Sequence, residues 1–427
     1  MRAALRGLTT RGRCLIAAGI AAAGCALLLG EKDLLRVAVF LLVLPLLSVG
    51  MLARARFKLT CSRRLTPERI AVGQSSEVSL VLRNVSLLPT TVLLLEDDLP
   101  YALGGRPRFT VERIGSQHER TVEYSVRSEV RGRYGIGPLR LRLTDAFGLV
   151  ELTRSFSVIS KLTVVPAALP LPAVSLSGSR AVGAGTTARS MAARGEDDAV
   201  TREYRHGDDL RKVHWRSTAR VGKLMVRREE RPWQARAAVL LDTRTVAHRG
   251  EAPAASIEWA ISAVASIGVH LMRRGFVVTV FTDDGLLLDS STGPEVLLDR
   301  LADIQTSRNR DFSAITSSML STPGSGGGGT LIAVLGSLRA EQAAEVAALR
   351  TGTVTGMAML LDTTTWLGVD AASRARSAEV TGKQAEAFSA HAWRAAPVQR
   401  RSSVQQVWST LGGLASPTER HLNAGSR

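Results

Sequence analysis

Between Thr201 and Arg228 the chain reads TREYRHGDDLRKVHWRSTARVGKLMVRR, its densest concentration of groups that could do chemistry. Arg202, Arg205, Arg211, Arg216 and Arg220 surround Asp208 and Asp209, with Tyr204, His214 and Trp215 interleaved and Gly207 just ahead of the acids. Two kinds of chemistry fit these residue types. His206 or His214 with Asp208 could move a proton as an acid–base pair. Alternatively the arginines and aspartates form a fixed ion-pair network that pins an irregular segment, because such charges are seldom buried without partners. The surrounding sequence offers no nucleophile elbow, phosphate loop or second metal ligand. The structural reading is therefore preferred, with the segment doubling as a docking surface for a partner.

Composition narrows the classes. The 427 residues have room for two or three domains, and 45% hydrophobic content is ample for cores. A formal net charge of +17 suits nucleic acid or an anionic membrane surface. Cys14 and Cys25 fall inside an apolar run, leaving Cys61 alone in the remainder, so no disulfide framework or Cys-x-x-Cys metal knuckle is expected. That pattern belongs to a reducing compartment.

Two apolar runs, Cys14 to Leu29 and Leu34 to Leu52, each approach the length a membrane-crossing helix requires. The turn Gly30–Asp33 carries nearly cancelling charge. Arg2, Arg6, Arg11 and Arg13 precede the pair, and Arg54, Arg56, Lys58, Arg63 and Arg64 follow it. By the positive-inside rule both ends, and the chain beyond, are expected in the cytoplasm, with the juxtamembrane arginines against anionic lipid. Arg36 is expected to snorkel and Pro45 to kink the second helix. This crowding at the membrane flanks argues against specific nucleic-acid binding.

From 57 to 166 period-2 alternation predicts strands: Val78, Leu80 and Leu82 on one face, Val122, Tyr124 and Val126 in another run, Leu139, Leu141 and Leu143 in a third. Short strands at this spacing predict an antiparallel, immunoglobulin-like sandwich. Arg131–Gly135 reads as a solvated strand edge. Residues 167–200 are rich in Pro, Ala, Gly and Ser and read as a linker, with the Thr201–Arg228 motif inside a segment 201–235.

From 236 to 412 strands and helices alternate. Ala237–Leu241 is a buried-strand pattern ending in Asp242, followed by a helix over Ala254–Arg273 with Ile257, Ile261, Val264 and Leu271 on one stripe. Phe276–Phe281 is the next strand and Asp283-Asp284-Gly285 a hairpin turn. Pro294–Ile304 and Ala340–Leu349 read as helices, and Leu331–Leu335 and Gly356–Leu361 as strands, which together predict a doubly wound sheet. Ser321–Gly329 is a Gly/Ser loop without the lysine of a phosphate cradle. Val404, Val407, Trp408 and Leu411 predict a terminal helix docked on the core, and 413–427 a disordered tail.

The ordered run Arg-x-Tyr-x-x-Gly-Asp-Asp-x-Arg-x-Val-His-Trp-x-x-x-Ala-Arg, from Arg202 to Arg220, resembles the signature of the bacterial domain of unknown function 58 family. Arg131–Gly135 and Asp145–Leu149 resemble motifs of that family, with Ala146 standing where proline is usual. The resemblance implies association with a MoxR-type AAA+ ATPase and a von Willebrand factor A-like α/β domain. Such domains often hold a divalent cation on an Asp-x-Ser-x-Ser loop, with a further acid after a later strand. Here the loop reads Asp242-Thr243-Arg244-Thr245-Val246, so Arg244 and Val246 take the serine positions, and Gly336 stands in place of the acid. A cation would be repelled by Arg244, so the metal site reads as lost, with Arg244 neutralising Asp242. The expectation is a membrane-anchored, non-enzymatic adaptor held in the lipid bilayer by two spans, with no cofactor, its pieces being 1–56, 57–166, 167–200, 201–235, 236–412 and 413–427. The alternative is a hydrolase or transferase using the His and Asp of the signature.

Overall fold

The computed structural model describes residues 7–54, 59–87, 89–90, 92–144, 147–174, 176, 201–204, 213–227, 235–289, 292–321, 329–350 and 354–413. They fall into two compact units, Met1–Val165 and Pro166–Arg427. The expected Asp145–Ala146 turn, most of the 321–329 loop and the tail from 414 lie outside the described residues.

The N-terminal unit begins with two helices, α1 (Thr10–Leu29) and α2 (Lys32–Arg54). Both are long and apolar enough to cross a membrane, with mean hydropathies of 1.9 for Thr10–Leu29 and 2.1 for Lys32–Gly50. Thr9 caps α1 by accepting from Gly12 N (3.2 Å), and Gly30, left-handed at φ 72°, ends it. Because α2 starts at Lys32, the connection is only Gly30-Glu31, shorter than the four-residue turn expected. Arg36 donates to Asp33 at 2.7 Å near that tip, and Pro45 lies within α2 as anticipated.

Ten strands follow: β1 (Leu59–Thr66), β2 (Arg69–Ala71), β3 (Ser75–Asn84), β4 (Leu93–Asp97), β5 (Arg108–Val111), β6 (Glu119–Arg127), β7 (Gly132–Ile136), β8 (Leu139–Thr144), β9 (Glu151–Phe156) and β10 (Ser160–Val165). They make three small sheets in the orders β1-β3-β6, β2-β10-β7 and β5-β4-β8-β9. All pairs are antiparallel except β10 with β2, so the fully antiparallel expectation needs that one correction. The alternating residues do what their period predicts. Leu80, Leu82, Leu139, Leu141 and Leu143 share one buried cluster, and Val78 and Val126 share another with Ile136 and Leu162. Strand β7, which holds Gly132–Gly135 of the Arg131–Gly135 segment, is at a sheet edge. Where the sheets meet, Arg63 donates to Asp97 (2.5 Å) and to the carbonyls of Ile136 (2.7 Å) and Val158 (2.9 Å), while Tyr124 donates its hydroxyl to Asp97. Burial, followed by that hydrogen bond to the carboxylate, pushes the Tyr124 phenol up and keeps it protonated.

In the C-terminal unit, the first residues of the expected linker are structured. Leu171, Val174 and Leu176 are buried in the α/β core. Trp408 Nε1 donates to Pro172 O (3.0 Å), and Ser266 Oγ accepts from Leu169 N (2.9 Å). Proline-rich extended chain has no periodicity to read, yet its apolar side chains find a helix surface to cover. After it come β11 (Thr201–Glu203), α3 (Trp215–Val221) and β12 (Met225–Arg227).

The main sheet comprises β13 (Arg236–Leu241), β14 (Val277–Thr282), β15 (Gly285–Leu288), β16 (Thr330–Leu335), β17 (Thr355–Leu361) and β18 (Trp393–Val398), in the order β15-β14-β13-β16-β17-β18. Every pair is parallel except the β14–β15 hairpin. Helices α4 (Ser256–Arg273), α5 (Pro294–Asp303), α6 (Ser313–Ser321), α7 (Ala340–Ala348), α8 (Ala371–Ala390) and α9 (Val404–Leu411) connect or follow the strands. Alternate residues of β13 face opposite cores. Val239 and Leu241 pack with Ile261 and Val264 of α4, whereas Ala238 and Leu240 pack with Val346 of α7 and Phe388 of α8. Two apolar faces are why the central strands read as continuous hydrophobic runs. The terminal helix docks as expected, with Trp408 fully buried.

Candidate functional site: the carboxyl edge of the parallel sheet

Among the five parallel strands the order β14-β13-β16-β17-β18 reverses between β13 and β16. Open α/β sheets hold ligands in the crevice beyond the carboxyl ends of the two strands at such a reversal. Here that crevice is bounded by Asp242–His248 after β13, Gly336 after β16 and Asp283 after β14.

The chain fills the crevice with its own atoms. Arg244, fully buried, donates through Nε to Asp242 Oδ1 and through Nη2 to Oδ2, each at 2.9 Å, a two-pronged pair. Backbone amides of Arg244 (3.1 Å) and Gly336 (3.1 Å) complete the carboxylate. The guanidinium carbon lies 4.0 Å from the centroid of the Phe312 ring, and Nη1 donates to Arg310 O (3.3 Å). The expected neutralisation of Asp242 by Arg244 is thus present as geometry, with Phe312 and Arg310 as added supports. Gly336 is glycine for a steric reason. A Cβ there would overlap the Ala247 carbonyl oxygen and stand 2.9 Å from the Ala247 Cβ. Ala247 O in turn accepts from Ser337 N (2.8 Å), which locks the plug.

Beside this pair lies a second carboxylate. Asp283 accepts from Thr243 N (2.7 Å) and from the hydroxyls of Thr243 and Ser307. Ser307 N donates to Thr243 O and Thr245 N to Ser307 O, both at 2.8 Å, stitching the loop after α5 to the loop after β13. From sequence alone Asp283 reads only as part of a hairpin turn, and Ser307 carries no signal. The register supplies the missing signal. Leu241 pairs with Thr282, so the acids that follow each strand emerge side by side.

His248 closes the floor. Its Nε2–H donates to Asp242 O (2.7 Å), and Nδ1 accepts from Ser256 Oγ (3.0 Å), whose oxygen accepts from Arg249 N. The bond accepted by Nδ1 requires the neutral ring, whereas the Nε2–H bond forms in either protonation state. Burial is the largest influence and holds the imidazole below its ordinary 6.5. The unfolded chain therefore takes up the proton first. Stability from the neutral ring is complete above pH 6.5 and declines as pH falls through the folded value. Thermal unfolding should accordingly fall below pH 6.5 by up to about 1.4 kcal/mol per pH unit more steeply in the native protein than in His248→Gln. Parallel curves for the two proteins would remove His248 from this role.

The signature segment is described only at its ends. Arg205, His206, Gly207, Asp208, Asp209 and Arg211 lie outside the described residues, so the expected ion-pair network and acid–base pair lie there too. At its flanks Thr201, Arg202 and Glu203 of β11 pair with Arg227, Val226 and Met225 of β12. Tyr204 N donates to Leu224 O (2.8 Å) and His214 N to Met225 O (2.8 Å). His214 caps α3, its Nδ1 accepting from Ser217 N (3.3 Å) and lying 2.8 Å from Ser217 Oγ. Trp215 is 71% exposed. Arg220 is exposed in the last turn, where a cation suits the helix dipole. Lys223 pairs with Glu203 at 2.5 Å on the surface.

No curated protein matches the chain. Among solved structures, it is similar to the CARDB domain of a Pyrococcus furiosus protein, at 15% identity over 26% of this chain and 93% of that one, with a TM-score of 0.19. A human zinc 2-glycoprotein–prolactin inducible protein complex contains a chain matched at 10% identity over 26% of this chain and 97% of that one, TM-score 0.20. The Pseudomonas fluorescens alkylpurine DNA glycosylase AlkC matches at 12% identity over 29% of this chain and 38% of its own, TM-score 0.17. Scores this low leave the strand order above as the description of the fold. Residues 200–319, running from the signature through the Asp242, His248, Asp283 and Ser307 loops to Phe312, match the family described as protein of unknown function DUF58.

Proposed function

We propose that this protein is a membrane-anchored, non-enzymatic adaptor whose C-terminal unit is a von Willebrand factor A-like binding module for a MoxR-type AAA+ ATPase. In this reading α1 and α2 cross the bilayer, and the N-terminal strands and the C-terminal unit lie in the cytoplasm beside that partner. The basic residues before α1 and after α2, set against the Glu31-Lys32-Asp33 tip, favour that orientation. The N-terminal strands would serve as an immunoglobulin-like spacer above the membrane.

The observation that carries the reading is Arg244, held between the Asp242 carboxylate and the Phe312 ring where α/β enzymes keep their substrates. A carboxylate already bonded by a guanidinium and two amides is a poor base and a poor cation ligand. Such an edge suits a rigid module that presents its surface, and ATP chemistry would belong to the partner.

Affinity purification of the full-length tagged protein from solubilised membranes tests this. A MoxR-type ATPase should co-purify in a nucleotide-dependent manner, and a cytoplasm-only reporter fused after Arg427 should be active. Absence of the ATPase with ATP, ADP and a non-hydrolysable analogue alike, or a reporter active only outside the cell, would sink the proposal.

A further inference from the structure

With the crevice between β13 and β16 filled, open space on this edge of the sheet is found farther along, beyond β17 and β18. A cavity of about 860 Å³ there is lined by Arg374, Arg400, Arg401, Gln399, Leu367 and Asp362. Its position follows from the topology. Asp362 directly follows β17, Gln399 to Arg401 directly follow β18, and Arg374 is on the first turn of α8. Arg400 N donates to Thr365 Oγ1 (3.0 Å), so the two loops are fixed to each other.

Its charges are unbalanced. Asp362 is the sole carboxylate among the described lining residues, and it is buried with its Oδ1 already holding three donors. It accepts from Thr364 N (3.3 Å), Thr364 Oγ1 (2.6 Å) and Ser377 Oγ (2.6 Å). The guanidinium groups of Arg374, Arg400 and Arg401 have no carboxylate within 4.0 Å among the described residues and are exposed to solvent. Three unpaired arginines on one concave surface create a field that a cation cannot enter and that forked acidic groups fit. The N-terminal turn of the twenty-residue helix α8 adds to the same sign.

The shape of the lining selects among anions. Among the described lining residues there is no aromatic ring, so they offer no platform on which a nucleobase would stack. The cationic groups are on separate exposed arms rather than converging amides, which suits several carboxylates spaced along a chain better than one compact phosphate. Leu367, 40% exposed at the wall, offers an apolar contact between them. We infer that this cavity, bounded by Arg374, Arg400 and Arg401, is a docking site for an acidic peptide segment of a partner protein, carrying Asp or Glu on both sides of an aliphatic residue. The inference deepens the adaptor reading by naming the chemistry of what is bound. It does not require that the segment belong to an ATPase.

Fluorescence polarisation with the full-length protein in detergent tests it, using labelled Glu-Glu-Leu-Glu-Glu as probe and Lys-Lys-Leu-Lys-Lys as control. The acidic peptide should bind and the basic one should not. The combined variant R374Q/R400Q/R401Q should weaken binding by about tenfold or more, since each exposed pair contributes modestly and three act together. Because a chain of net charge +17 attracts acidic peptides generally, R113Q/R120Q in the N-terminal unit serves as the charge control and should bind as the native protein does. Unchanged unfolding curves would confirm that these surface variants remain folded, and Arg400→Glu should act in the same direction by charge reversal. Equal loss in the two glutamine variants, or no loss in either, would overturn the proposal. Preference for tripolyphosphate over the peptide would also overturn it in favour of a phosphate site. Failure of the peptide to bind while an ATPase still co-purifies would refute this inference alone.

Discussion

Arg244→Ala should be the most damaging single substitution in the C-terminal unit, lowering its stability by about 3–5 kcal/mol. The loss is not chiefly that of an attractive contact. Asp242 is fully buried, and without the guanidinium its charge keeps only the amides of Arg244 and Gly336. The Phe312 ring would face a void as well. A double-mutant cycle distinguishes pairing from packing. Asp242→Asn and Arg244→Met should each be costly, while the combined variant should recover at least about 1.5 kcal/mol relative to their sum. Chemical unfolding of the detergent-solubilised protein gives all four values. Strict additivity would show that the pair is not coupled and would remove the central support for a self-filled edge.

Gly336→Ala should cost about 3 kcal/mol, a large effect for one methyl group. The obstacle is backbone. The new Cβ would collide with the Ala247 carbonyl, which cannot rotate away without giving up its bond from Ser337 N. In a unit of this size the shift corresponds to roughly 6–12 °C in the unfolding midpoint. Ala247→Gly in the same background should relieve only part of it, because the neighbouring Cβ goes but the carbonyl stays. A midpoint within about 1 °C of native would mean that the loops after β13 and β16 are looser than their packing implies.

Much of this architecture was readable from residue order. The leucines of β3 and β8 and the apolar stripe of α4 announce themselves by period, because each has one buried face to satisfy. Elements without such a face were missed. Helix α8 has just Thr381 and Phe388 buried among its twenty residues, so its pattern is nearly featureless. Strand β18 is a sheet edge whose Pro397 and Arg394 disguise it. At the site, the Asp242–Arg244 pair was legible because the two residues are nearly adjacent. Phe312, Ser307 and His248 join it through loops 60 and more residues away or through a short turn with no pattern of its own. Such convergence depends on sheet order, and no local rule reports it.

The helical pair also completes a core. Leu15, Leu44 and Val49 lend their side chains to the same cluster as Leu80, Leu141 and Val150, and Gly12 is so close to Leu149 O that any larger residue would collide with it. Thr9 N and Glu151 N exchange bonds with Leu149 O and Gly7 O across that junction. The strands thus complete their interior only once the leading hairpin is in place. Trimming the gene to make a water-soluble version of this half would uncover Leu149 and Val150, and an aggregate would be the natural product.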